Sequence, residues 1–403
     1  MKTNVLKKLS FIALFVSVLS SCQKNDEIVP TTDPAEFKFI NLLVSDANTN
    51  QLSLITPQTG LIKNYDAKFA KSALYTTESG RFAVLVHRAD NFVETFDTGF
   101  EAHSDHADVK GTPKFGALTG SGLLPTHFKS HGSEIAVFND GDGTLLTANE
   151  NDFHTSGMKM KSVKTGNTAH HGAMAKFDNG SYAITEKDGS IAGTLPERVR
   201  IMDTNGTLIA ASTIQTKGIH GNATNGKFAV FGSASGTLVV GADGKQKLIN
   251  HPADFGTAWF GTILKGKKSD KFIGYSRAKG AYLIDIQADK VTPIIENTDI
   301  MQCKVDFEGA NLLVLLHSGE LHIFDLVSGM LKNKAIVISP TENTEKLKPQ
   351  LVGTQKYIYV TSPATGEIMQ IQTSNLSNIT KLKVGGTPGS MVVLGVETSK
   401  GHD

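Results

Sequence analysis

From Phe37 onward the chain keeps one pattern almost unchanged. Short runs rich in β-branched and aromatic residues alternate with turns of Gly, Asn, Asp and Ser, and no long stretch holds a helical period. Arg81-Phe-Ala-Val-Leu-Val, Glu134-Ile-Ala-Val-Phe, Lys227-Phe-Ala-Val-Phe, Asn311-Leu-Leu-Val-Leu-Leu and Lys356-Tyr-Ile-Tyr-Val are examples, several of them introduced by turns such as Glu78-Ser-Gly or Thr224-Asn-Gly. A second turn and a further strand follow most of them, as in Gly236-Thr-Leu-Val-Val and Gly319-Glu-Leu-His-Ile-Phe-Asp. The units recur roughly every 40 to 50 residues, the period of a four-stranded propeller blade. They begin near residues 71, 125, 170, 219, 259, 300 and 348. The piece from Phe37 to about Lys68 supplies outer strands without an innermost one, which Gly389-Ser-Met-Val-Val-Leu-Gly can provide. Closing one blade from both chain ends removes a free sheet edge. The expected fold is therefore all-β: a single β-propeller of about eight blades, with seven as the other count, spanning 37–403.

The N-terminus has a different character. Lys2, Lys7 and Lys8 precede an apolar run, Leu9 to Leu19, that ends in Leu19-Ser20-Ser21-Cys22. Such a run falls well short of the roughly 20 residues that span a bilayer, so residues 1–21 read as a cleaved export signal. Small residues before a cysteine resemble the lipobox of bacterial lipoproteins, with Cys22 as the lipidated residue. Several acyl chains on one residue anchor stably, whereas one does so marginally. Gln23-Lys24-Asn25-Asp26-Glu27 resembles the acidic export tag of surface lipoproteins of Bacteroidota. Residues 22–36, marked by Pro30 and Pro34, read as a polar linker. The expected location is the cell envelope, as an outer-membrane lipoprotein that faces either the surface or the periplasm.

Cysteine and charge narrow the picture. Cys303 is the only other cysteine, so acylation of Cys22 leaves no intramolecular disulfide. Loss of the three signal lysines takes the formal charge from +1 to −2. That balance argues against nucleic-acid binding and against a basic membrane-binding face. One tryptophan and seven tyrosines make an aromatic glycan platform a poor fit. A monomer is expected.

The thirteen histidines carry the candidate chemistry. His127 and His220 each precede an Ala-Val-Phe strand by nine residues, and His171 leads the blade between them. The first strand of each blade lines the central channel, so three consecutive blades should aim imidazoles at one axial funnel. His103-Ser104-Asp105-His106 lies in a loop just before these blades. Two imidazoles and a carboxylate beside such a funnel are ligand types that suit Zn(II). The expected metal set is His103, Asp105, His106, His127, His171 and His220. Strand alternation should turn His170 away from His171. His87, His154, His251, His317, His322 and His402 read as ordinary packing or surface residues, and Cys303 as buried.

Several stretches together resemble the periplasmic zinc metallochaperones of the AztD family. They are Phe100-Glu-Ala-His-Ser-Asp-His-Ala-Asp, Leu124-Pro-Thr-His-Phe-Lys-Ser-His-Gly, Ala169-His-His-Gly, Leu195-Pro-Glu-Arg-Val-Arg and Ile219-His-Gly-Asn-Ala. The likeness runs in order over roughly residues 80–240. It implies a β-propeller that holds zinc near its channel and passes it to a partner. That partner would be the solute-binding protein of a zinc ABC transporter or an outer-membrane transporter. The resemblance implicates the same six residues. It departs where family members often carry a cysteine before the third strand histidine and a glutamate after it; here stand Lys217-Gly218 and Asn222.

The expected function is zinc holding and delivery without catalytic turnover. Two other readings compete with it. A zinc-dependent hydrolase or lactonase would need a general base, for which Glu186 and Asp140 are the candidates. A surface interaction propeller would need no metal.

Overall fold

The computed structural model describes residues 35–402 apart from Lys268. The segments assigned to signal and linker, with Cys22, lie outside the described residues but for Ala35 and Glu36. A single compact body starts at Ala35.

Eight four-stranded antiparallel sheets make up that body. In chain order, blades 2 to 8 open on the innermost strands Ala73–Thr76, Pro125–His131, Met174–Lys176, Ile219–Thr224, Thr262–Lys265, Ile300–Val305 and Leu351–Gly353. These starts follow the seven expected units. Blade 1 is built from both ends of the chain. Ile40–Asp46, Gln51–Thr56 and Leu61–Asp66 form its outer three strands, and Pro388–Gly395 its innermost one. The closing pairs run from Ile40↔Gly395 to Asp46↔Pro388. The eight-bladed count holds, and the closure is the one expected.

The second strand of each blade explains the apolar runs. Phe82–His87 and Asn311–Leu316 are buried at every position, because each sheet packs on both faces against a neighbouring blade. One such interface joins Phe82, Val84 and Val86 of blade 2 to Ile135 and Val137 of blade 3. Burial of each large side chain there stabilises by about 1.5–3 kcal/mol. The outermost strands face water instead, and in Leu61–Asp66 only Ile62 and Tyr65, on opposite faces, are half-buried. Lysines on these edges, such as Lys332 and Lys334 in Leu331–Ile336, discourage pairing with a second chain.

Strand direction fixes two ends for the barrel of blades. Every innermost strand starts at one end, here the entry face, and finishes at the other, the far face. Turns between second and third strands return to the entry face. Turns between first and second strands, and anything inserted after a third strand, lie at the far face.

Candidate metal centre

His127 and His220 sit at the start of their innermost strands, and both places are irregular. The ladder slips between Pro125 and His127 in blade 3, and between Ile219 and Asn222 in blade 5. Such bulges bend a strand and re-aim its side chains. Gly221 makes the second one possible: its φ is +74°, and a Cβ there would lie 2.6 Å from the Gly261 carbonyl oxygen. His171 stands three residues ahead of the blade 4 strand, where its backbone N–H donates to the Thr194 carbonyl at 2.8 Å.

The three side chains converge at the entry face. His171 Nε2 lies 3.2 Å from His127 Nε2 and 3.1 Å from His220 Nε2. Nitrogens bound to one tetrahedral zinc at roughly 2.0–2.1 Å would be about 3.3 Å apart. The other ring nitrogens decide what these contacts mean. His171 Nδ1 is 2.7 Å from Asp140 Oδ2, and His220 Nδ1 is 2.6 Å from the Gly261 carbonyl oxygen. Both partners only accept, so both rings carry their proton on Nδ1. In the neutral tautomer this leaves, the Nε2 atoms of His171 and His220 turn lone pairs toward each other at 3.1 Å. Two lone pairs do not bond to each other; a cation between them would satisfy both. Burial, then the neighbouring His171, pushes His127 down to about 4, so its ring is neutral and able to ligate.

Asp140 occupies the entry-face turn between the second and third strands of blade 3. Burial acts to raise its pKa, but hydrogen bonds from His171 and Thr126 hold it below the usual carboxylate range. Arg88 Nη2 stands 3.6 Å from the same oxygen. A second support is the connection 187–197 of blade 4. Fully buried Glu197 accepts from Lys187 Nζ at 2.5 Å and from the backbone of Asp188 at 3.0 Å. That cradle positions the Thr194 carbonyl for His171 and the Pro196 carbonyl for Ile219 N–H at 2.8 Å.

The histidines of the 103–106 segment do not join this centre. Phe100–His103 and His106–Val109 form a hairpin, with His103 paired to His106. It leaves blade 2 after its third strand, Phe92–Asp97, and so lies at the far face rather than beside the trihistidine funnel. Glu101 of the hairpin meets Arg81, from the turn between the first two strands. Within the hairpin the carboxylate that reaches both rings is Asp108, 3.5 Å from His103 Nδ1 and 3.5 Å from His106 Nε2. His103, His106 and Asp108 form a second cluster able to hold a metal ion. Asp105 lies 3.4 Å from His106 Nδ1 but also receives a 2.9 Å hydrogen bond from Lys400, which holds its pKa down at about 2. The C-terminal strand Gly401–His402 pairs alongside, setting His402 opposite Asp108.

Other histidines of the blades have structural partners. His170 turns away from its neighbour to Thr185 Oγ1 at 3.1 Å and the Thr168 carbonyl at 2.8 Å. His131 bridges Asp178 and Glu78 at the far face. His87 pairs with Glu94, His154 with Asp97 and His322 with Glu320. Glu186 pairs with Arg200 at 3.3 Å, and Asp140 is committed to His171. Neither candidate base is therefore offered to a metal-bound water.

Fold and site together define an eight-bladed β-propeller with a trihistidine mouth. The chain is similar over 98% of its length to the zinc chaperone AztD of Citrobacter koseri, at 23% identity and covering 95% of that protein. The crystal structure of Citrobacter koseri AztD superposes with a TM-score of 0.81 at 21% identity, covering 89% of this chain and 99% of that one. The structure of apo AztD from the same organism gives 0.80 at 21%, covering 88% and 98%. No protein-family model matches the chain. The AztD-type resemblance read from its motifs is borne out along the whole body.

Proposed function

We propose that this chain is a zinc metallochaperone that carries Zn(II) as cargo on His127, His171 and His220. The observation that carries this is the pair of Nε2 atoms held 3.1 Å apart while both Nδ1 atoms are tied to Asp140 and the Gly261 carbonyl. Three neutral imidazoles suit zinc, and the open outer position lets a recipient's ligand enter before the histidines let go. Likeness to a protein named as a zinc chaperone points the same way. The far-face cluster of His103, His106 and Asp108 is a second, more exposed holding place. The reading extends to location: an acylated Cys22 would tether the propeller to the cell envelope. A solute-binding protein of a zinc transporter or an outer-membrane transporter would receive the metal. Zinc titration of wild type, His127→Ala and His171→Ala tests the site. Both variants should lose one tightly held zinc; equal stoichiometry and affinity in all three would overturn the proposal.

A further inference from the structure

Beneath the three imidazoles lies a second layer drawn from the same three blades. Lys129 follows His127 by two residues on one strand, so both side chains leave the same face of it. Its Nζ donates to the main-chain carbonyl of Asn222 at 2.5 Å. Asn222 follows His220 by two residues on blade 5, and its own Nδ2 donates to the Met174 carbonyl of blade 4 at 2.6 Å. The ammonium thus reaches from blade 3 across to blade 5, one strand step below the histidines. At about 3.3 Å per residue that step is roughly 7 Å. Among the described residues no carboxylate lies within ion-pair distance of Lys129. The next ionisable groups down the same strand face are His131 with Asp178 and Glu78, at the far end.

We propose that Lys129 is the charged floor of the metal centre, closing the channel to cations and holding zinc affinity below what three histidines alone would give. The inference rests on the trihistidine reading above and adds how the cargo stays releasable. A dication seated on the histidines feels an uncompensated positive charge from below. Even with water's full screening, a double and a single charge about one such step apart repel enough to weaken binding by close to tenfold. Metal therefore loads and leaves by the entry face, where Asp140 supplies the opposite charge.

The test compares zinc affinity and dissociation rate, by chelator competition, in wild type, Lys129→Met, Lys129→Gln and Lys129→Arg. Met keeps the length of the stem without charge, and Gln keeps a donor. Both neutral variants should bind zinc about tenfold or more tightly and release it more slowly, while Arg should stay within about threefold of wild type. A merely structural lysine would give weaker binding on replacement, so unchanged or weakened affinity in well-folded Met or Gln variants overturns the inference. The His171→Ala arm separates this from the site itself. Wild type that binds no zinc, or binds it equally after His171→Ala, refutes the trihistidine reading. A normal wild type with unmoved Lys129 variants refutes only the floor.

Discussion

Replacing Asp140 with Asn removes one charge and nearly no volume from the support of the metal centre. The residue is 7% exposed, and its Oδ2 accepts from His171 Nδ1 at 2.7 Å. Its Oδ1 has no hydrogen-bond partner. A carboxylate can only accept there, which is what leaves His171 Nε2 bare. Asparagine has two poses. With its carbonyl in the Oδ2 position it still serves His171 and Arg88, but a charge-assisted bond becomes a neutral one of about half the strength. With its amide there, the ring must move its proton to Nε2, and the ligand is lost. The first pose keeps more contacts, so the loss should sit near the lower end of the roughly 10–100-fold range for such partners. Tenfold corresponds to about 1.4 kcal/mol. Asp140→Ala, with no acceptor, should sit near the upper end. Competition with a chelator of known zinc affinity measures both, and metal-free melting temperatures separate ligand orientation from folding. Affinities within twofold of wild type for both variants, beside a His171→Ala that has lost the tightly held zinc, would refute the tautomer argument.

Three further substitutions probe the surroundings. His131 sits 3.4 Å from Glu78 and 2.8 Å from Asp178, and Glu78 foremost raises its pKa above the ordinary 6.5. The folded value exceeds the unfolded one, so this stabilisation is complete below about 6.5 and fades as pH rises through the folded value. His131→Ala should thus destabilise by roughly 0.5–1 kcal/mol at pH 5.5 and hardly at all at pH 9, measured by urea unfolding; an equal deficit at both would contradict it. Gly221→Ala places a Cβ 2.6 Å from the oxygen that orients His220, at a φ of +74°. It should cost about 1–2 kcal/mol and weaken zinc binding, whereas Gly132→Ala, at a φ of +58° with nothing within 4 Å, should leave zinc affinity unchanged in the same titration.

The blades were legible because each second strand is sandwiched between neighbours and is apolar through its middle, as in Ala83-Val84-Leu85-Val86 and Leu312-Leu313-Val314-Leu315. The closure was legible because blade 1 lacked one such partner strand. The strand histidines could be found from their constant distance to the Ala-Val-Phe runs. Their supports could not. Asp140, in the turn Asn139-Asp140-Gly141, reads from the sequence only as a candidate base, and it takes the packing of blade 3 against blade 4 to bring it to His171. The Gly261 carbonyl carries no side-chain signal at all. The 103–106 segment was close in sequence to the funnel yet sits at the opposite end, because its insertion follows an odd-numbered strand. In the hairpin, Asp108 reaches both rings because His103 and His106 pair across the turn, while Asp105 meets a lysine 295 residues away.

The seam in blade 1 also has a mechanical side. The chain enters the body at Ala35 on the far face, since Ile40 pairs with the last residue of the closing strand. Tension arriving from the N-terminal side passes first to Glu36, whose carboxylate is clasped by Thr354 and Tyr359 at 2.7 Å each. It then runs lengthwise into Ile40–Asp46, which is flanked by hydrogen-bonded neighbours on both sides. A strand pulled along its axis strains all those bonds at once rather than one after another. Force applied at Ala35 along that strand is thus shared by both ladders together, and the three histidines are at the opposite end of the ring.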